Sequence, residues 1–316
     1  MAQNLLDRKG VRKPSPFDLS PSDAPADWHT AFESVRDQIS PESLSLSNAP
    51  QWRMSARDFG NGHRECSVWR HTPDIEKQLE RAIQGFSPDQ TARGEGDLEA
   101  NRVRVTRRAK QKIRHLCKSM AVNSLWTLTY RENVIDRALV LKHLDAFRRR
   151  VVAVLGEWKY VAVLEKQKRG AYHIHLATHA LPMRLIKGGV KVKSWLVMRA
   201  IWLSVVGELG GAFDEAKRKK RWGGAKPIRA SGAIASYIGG YVAKDMCESQ
   251  LNQKRYSVTK GISIPDAVKA VWRSDIALSE LIELAFAAVG ENITRVYFQK
   301  ETSVFYIESD DSVGVG

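Results

Sequence analysis

Cysteine is scarce in this sequence. There are three, Cys66, Cys117 and Cys247, and no two of them form a Cys-x-x-Cys pair. This excludes a zinc ribbon and a disulfide framework and fits a reducing compartment. Long apolar runs are missing as well: the strongest, residues 195–206, is interrupted by Arg199 and is too short to cross a bilayer. There is no Gly-Lys-Thr/Ser phosphate loop, which speaks against a helicase-type motor. Residues 1–9 lack the apolar core of a signal peptide. The expectation is a cytoplasmic protein with no membrane partner.

Acidic residues are also short, but only in part of the chain. The 316 residues carry 50 Lys and Arg against 35 Asp and Glu, a formal charge of +15. Residues 1–100 hold 12 basic and 16 acidic side chains, whereas residues 101–316 hold 38 and 19. All of the positive excess therefore lies in the second part, where it calls for a polyanionic partner, foremost nucleic acid. The composition is otherwise that of an ordinary globular protein, with 43% hydrophobic and 27% charged residues.

Residues 1–100 are rich in Ser, Pro, Asp and Ala at their start and show little periodicity, so they read as a largely irregular arm and linker. A short helix over 28–39 and another over 74–83 are the elements expected there. From residue 101 the pattern changes. A basic amphipathic helix is expected over 103–120, a strand over 124–130 and a long helix over 134–155, with Ala138, Leu141, Leu144, Val151 and Leu155 on its buried stripe. Strands over 160–165 and 172–178 follow, then a helix over 193–209 and a strand over 212–217. A strongly basic loop, 217–224, leads to a further helix over 231–246 and a basic strand-like stretch at 254–258. Residues 261–316 read as a C-terminal extension with a helix over 275–289, a hairpin of 293–298 and 303–307, and a frayed acidic tail from 308. The strand–helix–strand–strand–helix–strand order at 124–217 predicts an α+β fold. In it an antiparallel sheet is covered by helices, as in split β-α-β, ferredoxin-like domains.

Within this frame the stretch Tyr172-His173-Ile174-His175-Leu176 stands out. Successive side chains of a strand point to opposite faces, so both imidazoles project one way while Tyr172, Ile174 and Leu176 pack behind them. Glu165 ends the preceding strand, and the polar loop 166–171 makes the two strands a hairpin that returns the carboxylate beside the imidazoles. Glu165, His173 and His175 then form an N/N/O set suited to a divalent ion, Mg²⁺ or Mn²⁺. Taken alone, a His-x-His is as well explained by half-buried histidines, and the pattern gains meaning only from its company.

That company is the helix 231–246, in which Tyr237, Tyr241 and Lys244 share one face. Its Gly239-Gly240 pair costs on the order of 1 kcal/mol per residue, a cost that implies a close approach or a need to flex. The strand Trp126-Thr127-Leu128-Thr129, the Glu165…His173-x-His175 pair and Tyr237-x-x-x-Tyr241-x-x-Lys244 occur in this order within residues 101–260. Together they resemble the motif series of rolling-circle replication initiators of the HUH endonuclease superfamily, in its two-tyrosine phage and plasmid form.

The resemblance implies a nicking and strand-transfer domain over 101–260. In it Tyr241 or Tyr237 attacks a scissile phosphate of single-stranded or supercoiled origin DNA and retains the 5′ end as a phosphotyrosine. Lys244 would stabilise the developing charge, and a cation on Glu165, His173 and His175 would polarise the phosphate. Two-tyrosine initiators often carry a lysine three residues after each tyrosine. Here Gly240 stands in that place after Tyr237, which favours Tyr241 as the nucleophile. The resemblance also implies a host helicase and polymerase as partners and a plasmid- or phage-encoded protein of the bacterial cytoplasm. A transposase or relaxase of the same superfamily, and a non-catalytic basic nucleic-acid-binding protein, are the alternatives.

Overall fold

The computed structural model describes residues 50–71, 98–215, 231–246, 256–273 and 276–310. The chain divides into two compact units, one of residues 1–58, 64–87 and 266–311, the other of 59–63, 88–265 and 312–316.

The larger unit is built on a sheet of β3 (Ser124–Tyr130), β4 (Tyr160–Lys166), β5 (Tyr172–Thr178), β8 (Gly211–Glu215) and β9 (Tyr256–Val258), in the order β8-β3-β5-β4-β9. The pairings β3–β5, β3–β8, β4–β5 and β4–β9 are all antiparallel. Helix α2 (Arg137–Leu155) joins β3 to β4, and α3 (Ser194–Val206) precedes β8. The unit β3-α2-β4-β5-α3-β8, with its spatial order of fourth, first, third and second strand, is the split β-α-β arrangement that the sequence predicts. A small hairpin, β6 (Arg184–Lys187) and β7 (Val190–Lys193), is inserted before α3.

Strand alternation divides the side chains of this sheet between two cores. Trp126, Leu128, Tyr130, Tyr160, Ala162, Leu164, Tyr172, Ile174 and Leu176 face α2 and α3, where they meet Val140, Leu144, Phe147, Met198 and Trp202. The opposite face, with Leu125, Val161, Val163 and Ala177, is covered by α1 (Leu98–Ser119) through Ala109, Ile113, Leu116 and Cys117, and by α4 (Ser231–Met246) through Ile234, Ala235 and Ile238. Helix α2 starts later than its apolar pattern alone suggests. Asp136 caps it by accepting from the Ala138 N–H at 2.8 Å, a bond worth about 1 kcal/mol. Val134 before it is held in extended pairing, accepting from Tyr172 N. The helix ends where Gly156 takes φ +79° and its N–H closes on the Val152 carbonyl, a left-handed stop that suits glycine.

At the start of β8, Gly211 allows the indole of Trp202 to donate to the Thr129 carbonyl at 2.9 Å. A Cβ on Gly211 would strike that carbonyl oxygen and come 2.7 Å from the indole nitrogen. Gly211→Ala is expected to lower unfolding free energy by about 3 kcal/mol, the upper range for forced overpacking, as read from the midpoint of urea denaturation.

The smaller unit corrects the sequence reading in three places. Residues 51–71 are not irregular. They form β1 (Gln51–Asp58) and β2 (His63–His71), paired antiparallel. Nor are residues 261–316 a separate extension. β10 (Val268–Arg273) pairs with β1, and β11 (Ile293–Gln299) and β12 (Val304–Asp310) complete a sheet ordered β10-β1-β2-β12-β11. Helix α5 (Leu278–Val289) packs Leu281, Ala285 and Val289 against Trp52, Met54, Val68 and Ile307. Finally, Glu308 to Asp310 are not frayed but belong to β12 and are buried. Ladder pairing outweighs their polarity: the Ser309 hydroxyl donates to the Val289 carbonyl, and Glu308 accepts from the Tyr306 hydroxyl. The helices expected at 28–39 and 74–83, the loop at 217–224 and residues 254–255 lie outside the described residues.

Candidate functional site

The hairpin β4–β5 delivers the predicted juxtaposition. Its register sets Glu165 directly across from His173 and Val163 across from His175, so Glu165 is a direct neighbour of one imidazole and a diagonal neighbour of the other. All three project from the face covered by α1 and α4, the side opposite the aromatic core around Trp126 and Trp202. The turn between them is closed by Gly170 at φ +88°, whose N–H bonds the Gln167 carbonyl.

His175 is 4% exposed and its Nε2 lies 2.8 Å from Glu165 Oε2. An ionised carboxylate only accepts, so Nε2 carries the hydrogen. In the neutral ring Nδ1 then accepts from the Thr127 hydroxyl, 3.3 Å away on the neighbouring strand, where Thr127 and His175 are register partners. His173 is less covered and differently held: its Nδ1 lies 3.1 Å from the Gln167 amide nitrogen, while Arg169 donates to the same side chain's oxygen at 3.1 Å. Burial, then the neighbouring His175, lowers the pKa of His173 below the ordinary imidazole value, with Glu165 opposing. It is therefore neutral near pH 7, the state a metal ligand requires.

Helix α4 lies over β4 and β5 on this face. Ile234 and Ile238 anchor it in the core, and one turn further on Tyr241 lies flat on His175, ring centroids 4.2 Å apart and planes within 4°. Tyr237 meets His175 edge-on at 6.1 Å and Tyr241 edge-on at 5.1 Å. The Tyr241 hydroxyl donates to that of Tyr237 at 2.6 Å. The pKa of Tyr241 is raised above the usual phenol value, first by burial, then by this hydrogen bond and by the charge of Glu165. Tyr237 is 43% exposed and is the more accessible of the two hydroxyls. Lys244 belongs to α4, but its side chain lies outside the described residues. The Gly239-Gly240 pair admits no close approach by a neighbour. A Cβ at Gly240 would meet nothing within 4 Å, and one at Gly239 would first meet the Lys110 side chain at 3.7 Å.

Five of the six predicted side chains thus meet at one place: Glu165, His173, His175, Tyr237 and Tyr241. The three ligand candidates share a sheet face but do not close on one point, and among the described residues no group of three His, Cys, Asp or Glu is spaced to hold an ion. Donor chemistry nonetheless fits a divalent cation. The 2.8 Å between His175 Nε2 and Glu165 Oε2 is close to the edge of about 3.0 Å spanned by adjacent octahedral ligands at about 2.1 Å. A metal on Nε2 requires the ring proton on Nδ1, and the Thr127 hydroxyl, which can accept as well as donate, suits either tautomer.

Sequence reasoning assigned no role to Thr127, Gln167 or Asp214. Thr127 was legible in part, because the alternation of Thr127 and Thr129 against Trp126 and Leu128 places both threonines on the site face. Asp214 occupies the next position in the same cross-strand row, opposite Thr127 on β8. Gln167 lies in the hairpin loop, where no periodicity points to it.

Residues 123–246 match the model of a family described as replication-associated protein, of the ORF2 type. The match runs from the start of β3 to the end of α4 and contains all six predicted site residues. It supports a part in the initiation of DNA replication, and with it origin DNA as a partner. No curated protein and no solved structure matches the chain. Among the described residues no helix is long and apolar enough to cross a membrane.

Proposed function

We propose that the chain is a metal-dependent endonuclease and strand transferase of the two-tyrosine HUH type, which nicks one strand of a replication origin to start and end rolling-circle replication. The observation that carries this reading is the stacking of Tyr241 on His175 while the same imidazole bonds Glu165. A nucleophile candidate and two ligand candidates are thereby within one ring's reach, inside the segment that matches a replication-associated family.

The Tyr241 oxygen attacks the scissile phosphorus. The P–O3′ bond breaks, a phosphotyrosine forms at the 5′ end, and the phenolic proton is passed on as the 3′-oxygen leaves as a hydroxyl. One phosphodiester replaces another, so the bond energy is kept for the later resealing step. The free 3′-OH is what a host polymerase extends, with a host helicase unwinding the strand ahead.

A tyrosine with a raised pKa is a poor nucleophile, and its causes indicate what activation requires. Substrate binding must break the Tyr241–Tyr237 bond, and positive charge must offset Glu165. A divalent cation on Glu165, His175 and His173 supplies that charge and polarises the phosphate. Lys244, one turn along α4, is a second source of positive charge. Tyr237 serves as the acceptor of the second transfer, four residues from Tyr241 on the same helix face.

The test is incubation with end-labelled single-stranded origin DNA and Mg²⁺ or Mn²⁺, followed by a denaturing gel and peptide mapping of any DNA-linked tyrosine. Absence of any DNA-linked peptide under cleaving conditions would sink the covalent mechanism. A finer prediction concerns Thr127. Thr127→Val removes the partner of His175 Nδ1 without changing volume much, and is expected to weaken Mn²⁺ binding by about tenfold, measured by titration calorimetry on the free protein.

A further inference from the structure

Helix α1 does two different things along its length. From Ala109 onward it is a core element, with Ala109, Ile113, Leu116 and Cys117 buried against the sheet face that carries the histidines. Residues 99–108 contribute no buried side chain at all. A helix half that packs on nothing must be stabilised by its own sequence, yet this one is loaded against itself. Arg102, Arg104, Arg107 and Arg108 crowd the N-terminal half, where the macrodipole is positive, and the first turn holds one acid, Glu99. Arg104/Arg107, Arg104/Arg108 and Arg108/Lys112 are like-charge pairs at three- and four-residue spacing, each unfavourable.

The compensation within this half is slight. Arg102 reaches Glu99 at 3.8 Å and Arg104 reaches the Asn101 amide at 3.3 Å. Among the described residues Arg107, Arg108 and Lys112 have no acidic partner. On a helical wheel Arg104, Arg107, Arg108, Gln111 and Lys112 make one stripe, diametrically opposite the buried stripe of Ala109 and Ile113. That stripe runs about 12 Å along the axis. Its Arg and Gln side chains are the forked donors and amides that pair with guanine and adenine edges. Val103 and Val105 are 55% and 44% exposed beside it, too little apolar surface for a membrane-lying face.

We infer that the projecting half of α1 is a duplex-reading helix, which enters the major groove of double-stranded DNA flanking the strand that is cut. The occupant is fixed by two complementarities. A duplex presents about one negative charge per 1.7 Å of axis, against which the crowded arginines become favourable. A groove about 12 Å wide admits a helix of 10–12 Å diameter, but only one whose sides are free, as they are before Ala109. Because α1 packs against α4 on one sheet face, duplex held here lies on the side of the tyrosines. The inference rests on the proposed nicking of a single strand at that site and adds the means by which the cut is addressed.

The test uses the full chain with Arg104, Arg107, Arg108 and Lys112 all changed to Ala, substitutions that favour helix, with circular dichroism as the folding check. Binding is followed by fluorescence anisotropy on origin duplex, and cutting on a short single strand holding only the nick site. The expected result is duplex affinity lower by about 30-fold or more, with the slope of log K against log salt reduced by roughly 3, and short-strand cutting within about twofold of wild type. The companion variant with Lys at all three arginine positions should keep most of the salt slope and lose discrimination between origin and unrelated duplex.

Unchanged duplex binding in the Ala variant would overturn the inference and leave the stripe a solvated face. So would a parallel loss of short-strand cutting, which would assign the stripe to the nicking site itself, or an equal loss of binding to vesicles of anionic phospholipid. Retained discrimination in the Lys variant would overturn the groove reading. The duplex-binding measurement needs no cleavage, so a failure of the nicking proposal is seen separately.

Discussion

Tyr241→Phe is expected to abolish the covalent protein–DNA adduct and to reduce cleavage of a single-stranded origin oligonucleotide by about 10⁴-fold or more, the scale on which removal of a nucleophile acts. The change deletes one oxygen and leaves the ring, so the stack on His175, with centroids 4.2 Å apart, is retained and folding is not at issue. Tyr237→Phe removes the hydroxyl that accepts from Tyr241 at 2.6 Å. It is expected to leave the first adduct on Tyr241, within about tenfold of wild-type rate, and to abolish transfer of that strand to a second cut end. Denaturing gels of a labelled oligonucleotide separate the two steps, since the first product is a slow-migrating adduct and the second a joined strand of new length. If the doubly substituted protein still forms the adduct, neither tyrosine is the nucleophile.

The second large effect concerns the cation. Chelation is expected to reduce cutting to background, with Mn²⁺ or Mg²⁺ restoring it, and Glu165→Ala is expected to weaken Mn²⁺ binding by about 100-fold, read by calorimetry without DNA. Glu165 is the sole carboxylate among the predicted ligands and pairs with His175 at 2.8 Å. Its loss removes both the anionic donor and the group that orients the imidazole. His175→Ala should weaken Mn²⁺ comparably and also remove the surface on which Tyr241 rests, at about 1 kcal/mol of stability for the lost ring pair. A His175→Ala protein that binds Mn²⁺ as wild type does, while Glu165→Ala does not, would place the ion away from the His-x-His.

Much of the larger unit was legible because its rules are local. The alternation around Ile174 fixes which side of β5 meets the core, and the Gly170 loop fixes the hairpin, so the approach of Glu165 to the histidines followed from a few residues. The placement of Tyr241 was harder to foresee. Helical spacing aligned it with Tyr237, but its contact with His175 depends on where Ile234 and Ile238 anchor α4, which is a tertiary fact.

The smaller unit escaped for a related reason. Trp52, Met54 and Ala56 alternate with Arg53, Ser55 and Arg57 as a strand should, but the strand that pairs with them on one side, 268–273, lies more than 200 residues further along the chain. Nothing in a local window announces such a partner. The hairpin Arg184–Lys187 and Val190–Lys193 was passed over although Gly188-Gly189 is a turn signal, because its apolar members face solvent: Ile186 is 72% and Val190 62% exposed.

The division of β5 between its two faces has a consequence for how this protein can go wrong. Residues 172, 174 and 176 fill the aromatic core, while 173 and 175 carry the polar chemistry. Adding or removing one residue in this strand would exchange the two sets at a stroke, driving imidazoles among the tryptophans and an isoleucine into the site. Such a frame error cannot yield a well-folded protein with a scrambled centre, because the same slip that spoils the centre collapses the core. Shape and chemistry are interlocked on one strand, so damage to either is removed with the whole molecule.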